Sequence, residues 1–501
     1  MAIFRIASPW VPVVLVAALV GASEVLSLDD DEGLVGPSIL FGAISSDDSC
    51  DGGSSPTSGN CALMALQLRA SLDLVEVQAH SSEARARRED ADHEHSGPSI
   101  CFPSYETLPD AWRPSKELEA QLRLLPSPPD GQGLDRAAEA AARGAYGELV
   151  SLIRRPGNVK KLGHDALDAM LIGASAGGNM PDIQRTSLLY SRDILIELSG
   201  DILDNASAKH GKCDSLFGSD LSILVGYGHY LRLQLPQNSS LDATQAALEK
   251  LANLAVSDCG RLDRFLNFTP DERLNKYPSD PTDSDQIDVL FGMALQATNI
   301  MFMLANPNVK LPANTLDYVA KLWAYFFDYP FPDVASYAEG IMDNAFVQNS
   351  YLVTHIPYML TGFQRFALKV DDAPWLFQYL RLNFYSTIAQ SVKNHHFDLA
   401  AEFVDLFRQY GCTEENDIQL RDGTRYLLSV YREAGSHWLD IKQTDGYEHT
   451  DADTYAQSHL PWTAFIALRR RLFEEPTEGS FGAIDRKMVA LALKRTGDHE
   501  S

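Results

Sequence analysis

Apolar positions in the second half of the chain recur at spacings of three and four residues. The clearest run is Phe397, Ala400, Phe403, Val404, Phe407 and Tyr410, which share one face of a helix. Similar patterns, broken by Gly, Pro, Asn and Asp, predict helices near 184–208, 216–234, 242–257, 286–304, 314–327, 373–391, 395–410, 418–434 and 461–473. No stretch alternates strictly between apolar and polar residues with turn signals at its ends, so little β-sheet is expected. Twenty-two aromatic residues fall between Tyr318 and Tyr410 and place the centre of the core there. The pattern predicts an all-α domain of paired antiparallel helices, either an α/α toroid or a curved helical array.

Upstream the pattern changes. Lys116–Leu125 reads as a short helix and Leu134–Arg155 as a longer alanine-rich one, ended by Pro156-Gly157. The run Ala141–Val150, with Asp165-Ala-Leu and 174–179, resembles a degenerate ankyrin unit. One and a half units cannot stack into a solenoid, so 101–160 is expected to be a linker and helical hairpin. Residues 24–100 carry 15 acidic side chains, four arginines and a single aromatic, Phe41, too little apolar surface to offset ordering. The domain plan is therefore a signal peptide at 1–22, a disordered acidic leader at 23–100, the linker, an all-α domain at 161–475, and a tail with a short helix at 476–501.

The signal reading rests on Arg5, the apolar run Trp10–Val20 and the small residues Gly21, Ala22 and Ser23, with cleavage after Ala22. The run is short for a membrane span, which needs about 20 residues; the alternative is an uncleaved anchor that tethers the protein. No second span is expected. Secretion implies an extracellular or luminal location, and Asn205, Asn238 and Asn267 each begin a glycosylation pattern, the last weakened by Pro270. Cys213 and Cys259 flank predicted helices and suit a local disulfide, as do Cys50 and Cys61, but spacing leaves connectivity open. Cys412 is either an inert structural cysteine or a catalytic thiol.

The net charge of −26 argues against nucleic-acid binding, since phosphate needs a basic footprint. Walker, GxGxxG, HExxH, GxSxG and EF-hand patterns are absent. One local echo remains: Thr354-His355-Ile-Pro-Tyr358 and Ser458-His459-Leu-Pro-Trp462 share hydroxyl, histidine, aliphatic, proline and aromatic. Proline suits a first helical turn, so both histidines are expected at helix N-termini, where the dipole favours a neutral imidazole. They are then either acid/base or metal-ligating groups, or capping turns packed beside aromatics. His395 shares a face with Asp398, Glu402 and Asp405, expected to be solvated, whereas His396 falls over Ala400 and Phe403 on the apolar face. His449, Asp451 and Asp453 sit in a polar stretch that joins His459 in an acid/base or metal site, or is an ordinary acidic loop. Tyr329-Pro-Phe331-Pro-Asp333 reads as a packed aromatic turn.

The motifs Leu352-Val-Thr-His355, Asp371-Asp-Ala-Pro-Trp375, Asp398-Leu-Ala-Ala-Glu402, Cys412-Thr-Glu-Glu-Asn-Asp417 and Arg421-Asp-Gly-Thr-Arg425 resemble an uncharacterised family of helical proteins over about residues 323–473. The same region resembles α/α-toroid domains, which implies ligand binding among loops at one end of a ring. The leader stretch Cys61-Ala-Leu-Met-Ala-Leu-Gln-Leu-Arg is similar to leaders of dinoflagellate secretory proteins. Two function classes remain. One is a hydrolase or lyase acting on a polar small molecule or sugar in an aromatic-lined cleft, with His355 or His459 as base, His396 near the centre, and Asp451, Asp453 or Glu402 as partner. The other is a non-catalytic scaffold for a protein or peptide. No cofactor or oligomeric state follows from the sequence.

Overall fold

A computed structural model describes residues 100–126, 133–175, 179–209, 215–259, 284–312, 315–329, 331, 344–362, 364–441, 454–473 and 481–497. Among them every regular element is helical. The α-helices are α1 (Lys116–Leu124), α2 (Leu134–Ile153), α3 (Asn158–Leu162), α4 (His164–Ala174), α5 (Pro181–Lys209), α6 (Ser215–Gln234), α7 (Ser239–Cys259) and α8 (Ser284–Leu304). They continue with α9 (Thr315–Asp328), α10 (Asn344–His355), α11 (Tyr358–Thr361), α12 (Pro374–Asn394), α13 (Phe397–Gln409), α14 (Ile418–Glu433), α15 (Thr454–Leu468) and α16 (Phe481–Gly497). No described helix is long and apolar enough to cross a membrane.

Local chemistry sets several boundaries. Ser115 caps α1 and Asp417 caps α14, each side chain accepting a backbone amide of the first turn, Leu118 at 3.1 Å and Leu420 at 2.9 Å. The predicted 373–391 and 395–410 segments are separated where His395 adopts a left-handed conformation with φ +59° and ends α12. His396 then takes the N-cap position of α13.

Successive helices pack on one another through α4 to α7, α8 with α9, and α12 through α14. Long-range contacts set α2 on α14 and α15, α8 on α6 and α10, and α16 on α9. The centre is α13, packed by α10, α12, α14 and α15, with all thirteen residues buried. Its approach to α14 depends on Gly423, where an added methyl group collides with Val404 and Phe384.

Residues 97–501 form one compact unit, so the stretch expected as linker and hairpin belongs to the same body as the main helices. The entry at 100–112, with 3-10 turns at Tyr105–Thr107 and Asp110–Trp112, is fastened from several sides. Cys101 is disulfide-bonded to Cys412, 311 residues away. Phe102 donates to Asp417 at 3.1 Å and its carbonyl accepts from Ile418 at 2.7 Å. Arg381 pairs with Asp417 at 2.7 Å, donates to the Ile100 carbonyl at 2.8 Å and stacks over Phe102, Phe377 and Phe407. Tyr105 and Tyr385 both donate to Asp422, at 2.6 and 2.9 Å. Cys412 is thus the structural cysteine of the two readings. Cys412→Ser is expected to cost about 2–4 kcal/mol, the usual worth of a native disulfide, read as a lower melting temperature. An unchanged melt would mean that the hydrogen bonds hold the entry alone.

The signal segment, nearly all of the acidic leader, Cys50, Cys61 and Cys213, and the Cys259 side chain lie outside the described residues, as do His449, Asp451, Asp453 and Asn267. Asn205 falls within α5, and Asn238 caps α7 by accepting the Leu241 amide at 3.1 Å. Phe331 stacks on Trp375 at 5.0 Å and meets Tyr329 edge-on, the packing expected of that turn.

Candidate functional site

The acidic stripe of α13 is not solvated. Asp398, Glu402 and Asp405 are at most 3% exposed, because four helices surround α13 and leave it no open side. A helical period predicts which residues share a face but not whether a neighbour covers that face. Buried carboxylates need partners, and the three have different ones. Asp405 is neutralised by Arg471 and accepts from Gln409 at 2.9 Å. Asp398 and Glu402, one turn apart, face α10 and α15 instead.

On α10, Tyr351, Thr354 and His355 fall at i, i+3 and i+4 and so present one stripe. The Tyr351 hydroxyl donates to Asp398 Oδ2, and Thr354 donates to Glu402 Oε2 at 2.5 Å. His355 Nδ1 lies 2.8 Å from the Tyr351 carbonyl. A carbonyl only accepts, so Nδ1 carries the proton and Nε2 is the free base of the neutral ring. From α15, His459 Nδ1 reaches Asp398 Oδ2 at 3.1 Å, and its Nε2 stands 3.9 Å from Glu402 Oε1. His355 Nδ1 is also 3.9 Å from Glu402. The two echoed histidines therefore converge on one carboxyl group.

Electrostatics separate these groups. Burial lowers His355 to about 4, with His459 adding to the effect and the Tyr351 carbonyl opposing it. Burial raises Glu402 to about 8, against the influence of His459 and Thr354. Burial pushes Asp398 the same way, but hydrogen bonds and charge from His459, with the Tyr351 hydroxyl, hold it below its ordinary range. At neutral pH the group contains a neutral imidazole, a protonated carboxylic acid and an ionised carboxylate. Aromatic rings surround it: Phe291 and Tyr358 lie 4.8 and 5.0 Å from His355, and Tyr351 and Trp462 approach His459 at 6.2 and 6.4 Å. Both histidines keep 16% of their side-chain surface accessible, while Asp398 and Glu402 are sealed behind them.

The placement of the histidines differs from the expectation. His355 ends α10 rather than starting a helix, and His459 sits inside α15, which runs on through Pro461. The dipole at a helix C-terminus favours the imidazolium, so the neutrality of His355 comes from burial. Pro357 does precede a helix, the single buried turn α11. His396 is buried at the entrance to α13, near enough for its charge to bear on Asp398. Asp398, Tyr351 and Thr354 were missed as site residues; the available signal was two buried segments, each with polar residues at helical spacing. A second polar group, His164, Asp165 and Asp168 on α4, adjoins the first, and the charge of His459 acts on Asp165.

No family model matches the chain, nor does any curated protein or solved structure.

Proposed function

We propose that this is an enzyme, a hydrolase or lyase that uses paired acid/base chemistry on a polar small molecule such as a sugar. The observation that carries the reading is the Asp398–His459 pair facing Glu402. Asp398 accepts the Nδ1 proton of His459, so Nε2 is the nitrogen that exchanges a proton and serves as the base once the imidazolium has released it. As His459 takes a proton, the Asp398 charge stabilises the imidazolium. Glu402, kept protonated by burial, gives its proton to the leaving group. The 3.9 Å between Nε2 and Oε1 is too long for a direct hydrogen bond, so a substrate atom placed between them would lie within reach of both. The aromatic rings supply apolar walls on which a ligand can stack.

The fold we assign is an α/α toroid. It is supported by the packing of the early helix α2 on the late helices α14 and α15, a long-range contact of the kind that ring closure needs. A secretory location is supported by the apolar N-terminal run and by the Cys101–Cys412 disulfide, a bond that persists in oxidising compartments.

The test is a thermal-shift screen of sugars and other polar metabolites, followed by assay of the ligands that bind. His459→Ala is expected to lower kcat by about 10²–10⁴-fold, the usual range for a general base, with the fold intact by circular dichroism. Full turnover in that variant overturns the assignment. Capture of a peptide with no turnover of any ligand favours the scaffold reading.

A further inference from the structure

We propose that His164, Asp165 and Asp168 bind one divalent first-row transition-metal ion of the zinc or manganese class, at a site beside but separate from the Asp398–His459 pair. The three open α4, and spacings of i+3 and i+4 set Asp168 on the same face as Asp165 and His164. One ligand atom from each lies within 4.8 Å of the others. His164 Nε2 and Asp165 Oδ1 stand 3.6 Å apart. That separation is too long for a hydrogen bond. It fits two ligands of one ion, since atoms about 2.0–2.2 Å from a metal stand roughly 3–4 Å from each other.

Independent observations point to a ligand. Asp168 accepts a hydrogen bond from Tyr227, yet its Oδ1 is buried with no hydrogen-bond partner. An unmet carboxylate oxygen is costly unless a cation meets it. The second nitrogen of His164, Nδ1, stands 3.8 Å from Asp220 Oδ1, a carboxylate near the imidazole but beyond hydrogen-bond distance. His164 and Asp165 are enclosed by protein but keep about a third of their side-chain surface accessible, 32% and 30%, which is room for an ion with water. Imidazole with two carboxylates suits zinc, manganese or ferrous ions.

The site does not depend on the acid/base reading, and its test needs no substrate. The full chain, stripped with chelator and dialysed, is titrated with Zn²⁺ or Mn²⁺ alone by calorimetry. One equivalent is expected, with affinity reduced at least about tenfold in His164→Ala and Asp168→Asn, a loss typical even of outer-shell changes. In the wild-type protein the aqueous Mn²⁺ resonance should fade up to one equivalent, which needs no variant to fold. Wild-type binding that is weak and of no fixed stoichiometry overturns the site, as does equal affinity in folded variants. Either result leaves His164 beside Asp165 and Asp220 with no ion between them.

Discussion

Glu402→Gln is expected to melt at a higher temperature than the wild-type protein at pH 7 and, under the proposed acid role, to abolish turnover. The two effects have one origin. In the unfolded chain Glu402 ionises at its ordinary value of 4.5, whereas burial holds it protonated in the fold up to about 8. Between those values the native state binds a proton that the unfolded state has released, so stability falls as pH rises through that window. At pH 7 the cost is about 3 kcal/mol at 1.36 kcal/mol per pH unit. Glutamine has the same shape and no charge to bury, so it removes the cost and cannot deliver a proton. The depressed His355 works in the opposite direction: its contribution is present above 6.5 and is lost as pH falls towards 4. It is common to both proteins and cancels in their difference. The gap in melting temperature should be near zero at pH 4, widen through pH 7 and level off above 8. A variant less stable than wild type at pH 7 would mean that Glu402 is an ionised partner of the histidines, and the acid role would be withdrawn. A carboxyl group kept in place at a cost to stability is characteristic of a working site.

Asp417→Ala is expected to be the most damaging single substitution, at about 3–5 kcal/mol, the penalty for leaving a buried charge unpaired. Asp417 and Arg381 are both fully buried, and Asp417 also caps α14 and accepts the Phe102 amide. Alanine removes all three roles and leaves the Arg381 guanidinium with neutral partners only. Asp417→Asn keeps an acceptor for the cap and loses the charge, so it should fall between. Urea unfolding orders the three proteins, and an alanine variant within about 1 kcal/mol of wild type would show that Gln419 and the carbonyls suffice for Arg381.

Part of this was legible in the sequence. Helical periods located most of the helices, and the aromatic concentration pointed to the region around α13 because large apolar groups must be covered somewhere. The Thr-His-Ile-Pro and Ser-His-Leu-Pro echo picked out His355 and His459, although the shared reason offered for it, an N-terminal turn, does not hold for either. What brings them together is α13, and its acidic stripe reads as solvent-facing because periodicity carries no information about the helices on its far side. Asp398 and Tyr351 become site residues only through contacts across 47 positions. The fastening of residues 100–112 was still less legible, since Cys101 and Cys412, Phe102 and Asp417, and Tyr105 and Asp422 meet over more than 300 positions with no local pattern.

The far end of α13 is held as firmly as its centre. Arg408 is clamped by Glu414 and donates to the Ala467 carbonyl at 2.5 Å, while Asp405 is tied to Arg471. From Glu402 to Arg408 the axial rise is about 9 Å at 1.5 Å per residue. A stiff rod pinned at one end fixes the height of every group along it, so Glu402 and Asp398 share a single ruler. New ligand preferences are then most readily acquired on α10 and α15, whose side chains can change without disturbing that gauge.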